Sequence, residues 1–168
     1  MKASMDSCVC KQLADICTEP DRGRARRTSV QYPLHLDVLR EARGNLIASA
    51  KDVVILLEPL LGDLPQELVA SVSLNSRGFL VQVAIVGIGT TTACLVHPRE
   101  VFREAILSNA TSIILVHTHP SGDCSPSEED RELTERVRVA GAVLGIPLLD
   151  HVVLGKDEHY SFATEEAW

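Results

Sequence analysis

An apolar run that changes abruptly into a polar stretch sets the strongest limit on how this chain can fold. Residues Ile113–Val116 are continuously apolar, which is typical of a strand buried on both faces of a sheet. The stretch that follows, His117–Asp130, reads His-Thr-His-Pro-Ser-Gly-Asp-Cys-Ser-Pro-Ser-Glu-Glu-Asp. Because side chains alternate along a strand, His117 and His119 are expected on the same face of the sheet.

A helix predicted after this stretch carries a carboxylate on its inner face. Ser125 is predicted to be its N-cap, Pro126 its first residue and Glu128 the capping-box partner. Helical spacing then places a set of residues on one largely apolar face: Ser127, Asp130, Leu133 or Thr134, Val137, Gly141 and Leu144. An unpaired carboxylate there is costly, so Asp130 needs a cationic partner. Two histidines and an aspartate are typical ligands of a catalytic zinc site whose fourth position is left to water.

The rest of the chain predicts strands and helices in alternation. Helices are predicted from the capping box at 49–52, from Pro98 with His97 as its cap, and from Pro126 to Gly145. Strands are predicted at 68–74, 79–86, 112–116, 148–154 and 159–162, with a further strand or extended loop at 90–95. This order favours an α/β or α+β sandwich.

Composition narrows the classes of function. The chain has 16 Lys and Arg residues against 23 Asp and Glu residues, a net charge of −7. That charge disfavours a general nucleic-acid binder while leaving room for a local basic patch. The apolar stretches are far shorter than a membrane span, and we expect neither a signal peptide nor a membrane partner. Five cysteines at irregular spacing argue against a disulfide framework, so a cytoplasmic location is the expectation.

The polar stretch also matches a known motif at every position. His117-x-His119, seven residues, Ser127, two residues and Asp130 have the spacing of the JAMM (MPN+) metalloprotease motif. The surroundings resemble the RadC branch of that family in the segments His97–Phe102, Ala105–Ile106, Asn109–Ala110, His117–Asp123 and Asp150–His151. The resemblance predicts a RadC-like MPN+ domain at 49–168. Residues 1–48 do not resemble the helix-hairpin-helix region of longer RadC proteins and are predicted to form an N-terminal extension.

The resemblance implies a fold and a set of roles. The fold is an α/β/α sandwich with a mixed central sheet, related to the cytidine deaminases. His117, His119 and Asp130 are implied as ligands of one zinc ion per chain, and Ser127 as the donor to a developing oxyanion. Glu67 lies at a strand start that matches the place of the family's catalytic glutamate, so it is implied as the base that passes a proton from water to the leaving amine. Without the resemblance, Glu67 is an exposed acid at a strand end.

The hypothesis that follows is a zinc-dependent metallopeptidase that hydrolyses a peptide or isopeptide amide bond of a peptide or protein substrate by a zinc-activated water. The alternative is a non-catalytic protein-interaction module, linked to DNA repair through the family's name, that retains the zinc site. A zinc deaminase would need His-x-Glu followed by Pro-Cys-x-x-Cys, whereas Pro-Ser follows His119. The sequence names neither the substrate nor the oligomeric state.

Two further features have more than one interpretation. Cys124 lies within the motif, where the family more often has a non-thiol residue, and is either an ordinary loop thiol or an extra ligand or oxidation site. Asp150 and His151 lie on a predicted strand, and one of them either supports the site from behind or is simply a buried structural residue.

Overall fold

The computed structural model describes residues 42–61, 66–89 and 96–166. Within them the chain forms five strands and four helices. In chain order these are α1 (Ala50–Leu61), β1 (Leu68–Leu74), β2 (Leu80–Ile88), α2 (Pro98–Leu107), β3 (Ser112–Thr118), α3 (Glu128–Leu144), β4 (Leu148–Leu154), β5 (His159–Ser161) and α4 (Phe162–Glu165). The predicted strand or loop at 90–95 and most of the predicted N-terminal extension lie outside the described residues.

The five strands form one mixed sheet in the order β2-β1-β3-β4-β5. Strand β1 pairs antiparallel with both β2 and β3, β3 pairs parallel with β4, and β4 pairs antiparallel with β5. Every residue of the central strands β1 and β3 is buried, which explains why apolar residues predominate in their sequences. Helix α3 makes the long connection that the parallel pair β3–β4 requires.

Helices cover both faces of the sheet, so the predicted α/β/α sandwich with a mixed central sheet is confirmed. On one face, α1 packs its buried residues Val53, Leu57 and Leu61 in a cluster with Ile114 and Val116 of β3. We call this the α1 face. On the other face, helices α2 and α3 pack in a cluster with Ile113 and Leu115 of the same strand: the helix residues are Val101, Phe102, Ala105, Leu133 and Val137. We call this the α3 face.

Helix α3 begins later than predicted. Ser127 is its N-cap: the Ser127 Oγ accepts a hydrogen bond from the backbone N–H of Asp130 at 3.1 Å, and the Asp130 carboxylate accepts one from the N–H of Ser127 at 2.8 Å. This reciprocal pair is a capping box. The prediction that Ser125 caps the helix is wrong, because the helix begins only at Glu128. The Ser125 N–H, which the predicted capping box would direct to Glu128, donates instead to the Asp123 carboxylate. Pro126 and Glu128 consequently do not have their predicted capping positions.

The predicted inner stripe of α3 is largely confirmed. Asp130, Leu133, Thr134, Val137 and Gly141 are the buried residues of the helix. Leu144, which is 48% exposed, and the exposed N-cap residue Ser127 are exceptions. The helix ends at Gly145, whose φ of 70° is the left-handed conformation that glycine adopts without strain.

Other boundaries differ slightly from the predictions. Strand β3 continues through Thr118 and therefore contains His117, and the last strand ends at Ser161 because Phe162 begins α4. His97 caps α2 as predicted, with its ring nitrogen 3.5 Å from the backbone N–H of Arg99. In the part of the chain that the structure describes, no helix has both the length and the apolar character that crossing a membrane requires.

Candidate metal centre

The antiparallel pairing of β1 with β3 brings a distant glutamate to the two histidines. Leu68 lies opposite Thr118, and Val69 lies opposite His117. Because residues opposite each other in a sheet point to the same face, alternation places Glu67 on the α3 face with His117 and His119. The Glu67 backbone is held there, since its carbonyl accepts a hydrogen bond from the N–H of Gly89 at 2.8 Å.

Glu67, His117 and His119 form a compact group of donor atoms. One ligand atom from each lies within 4.8 Å of the others, and His117 Nε2 is 4.0 Å from Glu67 Oε2. The Glu67 side chain is only 13% exposed, so it is not the solvated strand-end acid that its sequence position alone would also allow. The group lies at the end of β3 and is largely enclosed.

Asp130 and Ser127 complete the cluster from the start of α3. Asp130 Oδ1 lies 2.6 Å from His117 Nδ1, and Asp130 Oδ2 lies 3.4 Å from His119 Nε2. The Ser127 hydroxyl donates to Asp130 Oδ2 at 2.6 Å. The structure therefore brings together all five residues that the sequence singled out. Their individual roles as ligands, base and oxyanion donor stay predictions.

The electrostatics of the cluster favour a negatively charged Asp130. Burial by itself would raise the pKa of Asp130, but the adjacent His117 and His119 imidazoles hold it well below its ordinary value. The contact with Asp130 in turn raises the pKa of His119 against the effect of burial. The two imidazoles thus favour the ionised form of the buried Asp130, and a metal cation held by the same residues would favour it too.

The donor atoms of the cluster fit a zinc ion. Both ring nitrogens of His117 are buried and lack a hydrogen bond of ordinary geometry among the described residues, although Asp130 Oδ1 lies 2.6 Å from Nδ1. His119 Nδ1 lies 2.7 Å from the carbonyl oxygen of Asp123 and must donate to it, which leaves the lone pair of the neutral ring on Nε2. Imidazole nitrogens and carboxylate oxygens are donors that zinc prefers.

Behind the cluster lie two polar residues whose connection the sequence did not reveal. Thr134 Oγ1 donates to the carbonyl oxygen of Asp130 at 2.6 Å and also lies 2.6 Å from His151 Nδ1. Burial lowers the pKa of the His151 imidazole to about 3, so the ring is neutral at physiological pH. The only available signal for Thr134 was its place four residues after Asp130 on the inner stripe of α3.

The structure separates the two interpretations of the Asp150–His151 pair. The Asp150 carboxylate accepts hydrogen bonds from the Ser161 hydroxyl at 2.7 Å and the Ala163 N–H at 3.0 Å, so it ties β4 to the C-terminal helix α4. His151 instead contacts Thr134 behind the polar cluster, and its ring is stacked 6.2 Å from the ring of His117 in that cluster. Cys124 is a half-buried free thiol, and the donor group found among the described residues does not include it.

Comparison with known proteins identifies relatives over most of the chain. The RadC-like JAB domain family matches residues 47–167. A UPF0758 protein of Rubrobacter xylanophilus is 43% identical over 128 residues, which are 76% of this chain and 56% of that protein. UPF0758 proteins of Shouchella clausii and Symbiobacterium thermophilum are 39% and 41% identical, over 85% and 83% of this chain and 64% and 61% of their own lengths. The chain thus spans between half and two thirds of these relatives.

Proposed function

The chain belongs to the family of RadC-like JAB domains, and from this membership and the geometry of its polar cluster we propose that it is a zinc-dependent metallopeptidase. Its reaction is the hydrolysis of a peptide or isopeptide amide bond in a peptide or protein substrate. The observation that carries the proposal is the position of Glu67, whose carboxylate lies on the same sheet face as His117 and His119 and within 4.8 Å of their ring nitrogens.

His117, His119 and Asp130 are the residues that would hold the metal. When bound, zinc supplies a Lewis acid that lowers the pKa of water and polarises the carbonyl of the scissile bond. Two of these residues are oriented by further contacts. The Asp123 carbonyl fixes the ring of His119, and the capping box with Ser127 fixes the carboxylate of Asp130.

Glu67 is the proposed general base. Its carboxylate is largely enclosed, its backbone is fixed by Gly89, and its Oε2 lies 4.0 Å from His117 Nε2. From this place it takes a proton from the attacking water and delivers it to the departing amine nitrogen, which would otherwise leave as a strongly basic anion. The distances alone would also allow Glu67 to be a metal ligand, so the test must separate these two roles.

Ser127 is the proposed donor to the oxyanion. Its one hydroxyl proton is donated to Asp130 Oδ2 in this structure. The donor role therefore requires the hydroxyl to rotate away from Asp130 and towards the substrate carbonyl. Ser127 lies exposed at the start of α3.

The experiment that tests the proposal is zinc analysis paired with cleavage of a peptide library. We expect about one zinc per wild-type chain, and we expect Glu67→Gln to keep the zinc while cleaving at least about a hundredfold more slowly, since general bases contribute roughly 10²–10⁴-fold. Glu58→Gln, a matched change at an exposed glutamate of α1, should cleave like wild type.

Each other outcome has a definite meaning. Loss of zinc from Glu67→Gln would make Glu67 a ligand rather than the base. A wild-type protein without zinc would contradict the proposal altogether. A zinc-loaded wild type that cleaves nothing in the library would favour the non-catalytic interaction module.

A further inference from the structure

A pair of buried polar side chains links the start of helix α3 to strand β4. Thr134 Oγ1 lies 2.6 Å from the Asp130 carbonyl oxygen and 2.6 Å from His151 Nδ1. His151 is wholly buried. Its ring is parallel, within 7°, to the rings of both His117 and Phe162, with centroids 6.2 Å and 5.0 Å away. The pair thus joins Asp130 to the strand next to the one that carries His117.

Counting protons determines the tautomer of His151. The Thr134 hydroxyl has a single proton, and a carbonyl oxygen can only accept, so the proton of Thr134 lies in the bond to Asp130. The short contact with His151 Nδ1 then requires a proton on that nitrogen. His151 is therefore the Nδ1–H tautomer and donates to Thr134, while its Nε2 keeps a bare lone pair.

This arrangement is costly for a residue that only fills space. His151 Nε2 is buried and has no hydrogen-bond partner among the described residues. A phenylalanine would occupy a similar volume and stack on Phe162 without leaving a buried acceptor unpaired. The polar contact with Thr134 is what histidine adds at this position, so that contact identifies its role.

We propose that His151 is a positioning residue that, through Thr134, holds the first turn of α3 so that the Asp130 carboxylate faces the two histidines for cation binding. The capping box orders this turn only relative to itself. The bond to His151 ties it to β4, which pairs directly with β3. The inference rests on the proposed function only in taking Asp130 as part of the metal site.

The first test measures zinc affinity of the full 168-residue chain by competition with a chelator. We expect His151→Phe to bind zinc roughly tenfold more weakly, at the lower end of the 10–100-fold typical for residues that orient metal ligands. Its melting temperature should be equal to or above that of wild type. Thr134→Val should weaken binding similarly, and the double variant no further, because both changes break one link. Thr111→Val, which removes a hydroxyl bonded to Leu74 away from the site, should bind zinc normally.

A second test asks whether a conservative variant restores the function. Asparagine places its amide N–H near the position of Nδ1, whereas glutamine places it near Nε2. We therefore expect His151→Asn to bind zinc more tightly than His151→Phe even though it loses the stacked ring and melts at a lower temperature. His151→Gln should not regain affinity. If His151 had only a structural role, the zinc affinities of these variants would follow the order of their melting temperatures. That result would contradict the proposal.

Nitrogen NMR of the zinc-free chain provides a test independent of metal binding. We expect His151 to show a protonated Nδ1 and an unprotonated Nε2, and the opposite tautomer would overturn the proposal. Wild-type affinity for zinc in His151→Phe, in an enzyme that cleaves peptides, would also overturn it while leaving the proposed function intact. A wild type that binds zinc but cleaves nothing, with the expected affinity loss in His151→Phe, would instead contradict only the proposed function.

Discussion

The two faces of the central sheet are formed by the same strands, but the residues at the end of β3 differ between the two faces. On the α1 face, Ile114 and Val116 of β3 pack with aliphatic residues of α1, and Thr118 follows with its hydroxyl bonded to the backbone of β1. On the α3 face, Ile113 and Leu115 pack in the same way. The next residue on that face is His117, which opens the polar cluster.

The difference shows what a buried polar group needs. Apolar side chains on the α1 face gain stability simply by leaving water, without regard to direction. Each polar group on the α3 face needs a partner at the right distance and angle, because an unpaired one is costly. The two imidazoles lie close to Asp130, at 2.6 Å and 3.4 Å, but both buried nitrogens of His117 still lack a hydrogen bond among the described residues and are suited to a cation. Both faces therefore contribute apolar packing, and the α3 face in addition holds the polar cluster.

The largest change in the free energy of unfolding is expected from a cavity created on the α1 face. Leu57→Ala removes a wholly buried side chain from that cluster and should lower the free energy of unfolding by about 2–5 kcal/mol. Urea denaturation should give the same loss with and without zinc, since the site lies on the other face. Ile55→Ala, at a residue of α1 that is 65% exposed, should change stability by less than about 0.5 kcal/mol. A zinc-dependent loss at Leu57 would contradict the separation of the two faces.

The next largest effect is the stabilisation by zinc on the α3 face. At about a hundred times its dissociation constant, zinc should raise the free energy of unfolding by about 2.7 kcal/mol, because only the folded chain forms the site. His119→Ala should abolish this gain, and the exposed His159 offers the matched control, His159→Ala. Urea denaturation with and without zinc measures this gain. If zinc stabilised the His119→Ala protein as much as wild type, the zinc would be bound elsewhere.

Acid should destabilise the zinc-free protein through the α3 face. Burial lowers the pKa of His151 from 6.5 to about 3, so between these pH values His151 binds a proton in the unfolded chain but not in the folded chain. Stability from this group is complete above pH 6.5 and is lost as the pH falls, by roughly 1.4 kcal/mol per pH unit. The pH dependence of unfolding should be shallower in His151→Phe by that slope. His159→Phe should retain the wild-type slope, and an unchanged slope in His151→Phe would show that His151 is not buried in its neutral form.

The smallest effect concerns the cap of α3. Ser127→Ala removes the hydroxyl of the capping box and should lower the free energy of unfolding of the zinc-free chain by about 1 kcal/mol. Ser125→Ala should change it by less than about 0.5 kcal/mol, because Ser125 lies outside the helix. Thermal denaturation of both variants shows which serine caps the helix. A larger loss of stability in Ser125→Ala than in Ser127→Ala would favour the cap predicted from the sequence.

Most elements were predictable because their signals are local. Strand β4 was predicted with its observed bounds and β3 with a slightly early end, since runs of apolar residues report burial directly. The cap of α3 was misplaced because Ser125 with Glu128 and Ser127 with Asp130 both satisfy the same short pattern. The folded chain distinguishes them, because the Ser125 N–H donates to Asp123 whereas the Ser127 N–H donates to Asp130.

The sequence by itself determined that two histidines follow a buried strand and that an aspartate lies on the inner stripe of the next helix. Both facts follow from backbone periodicity within a few residues. The family resemblance implied Glu67 as a site residue, but the folded chain was needed to place it beside those histidines, because its position depends on the register of β1 against β3, some fifty residues away in the chain. The tertiary structure also decided that Thr134 and His151 meet behind Asp130. Hydrogen bonds between elements depend on how the elements pack, and no local pattern encodes that packing.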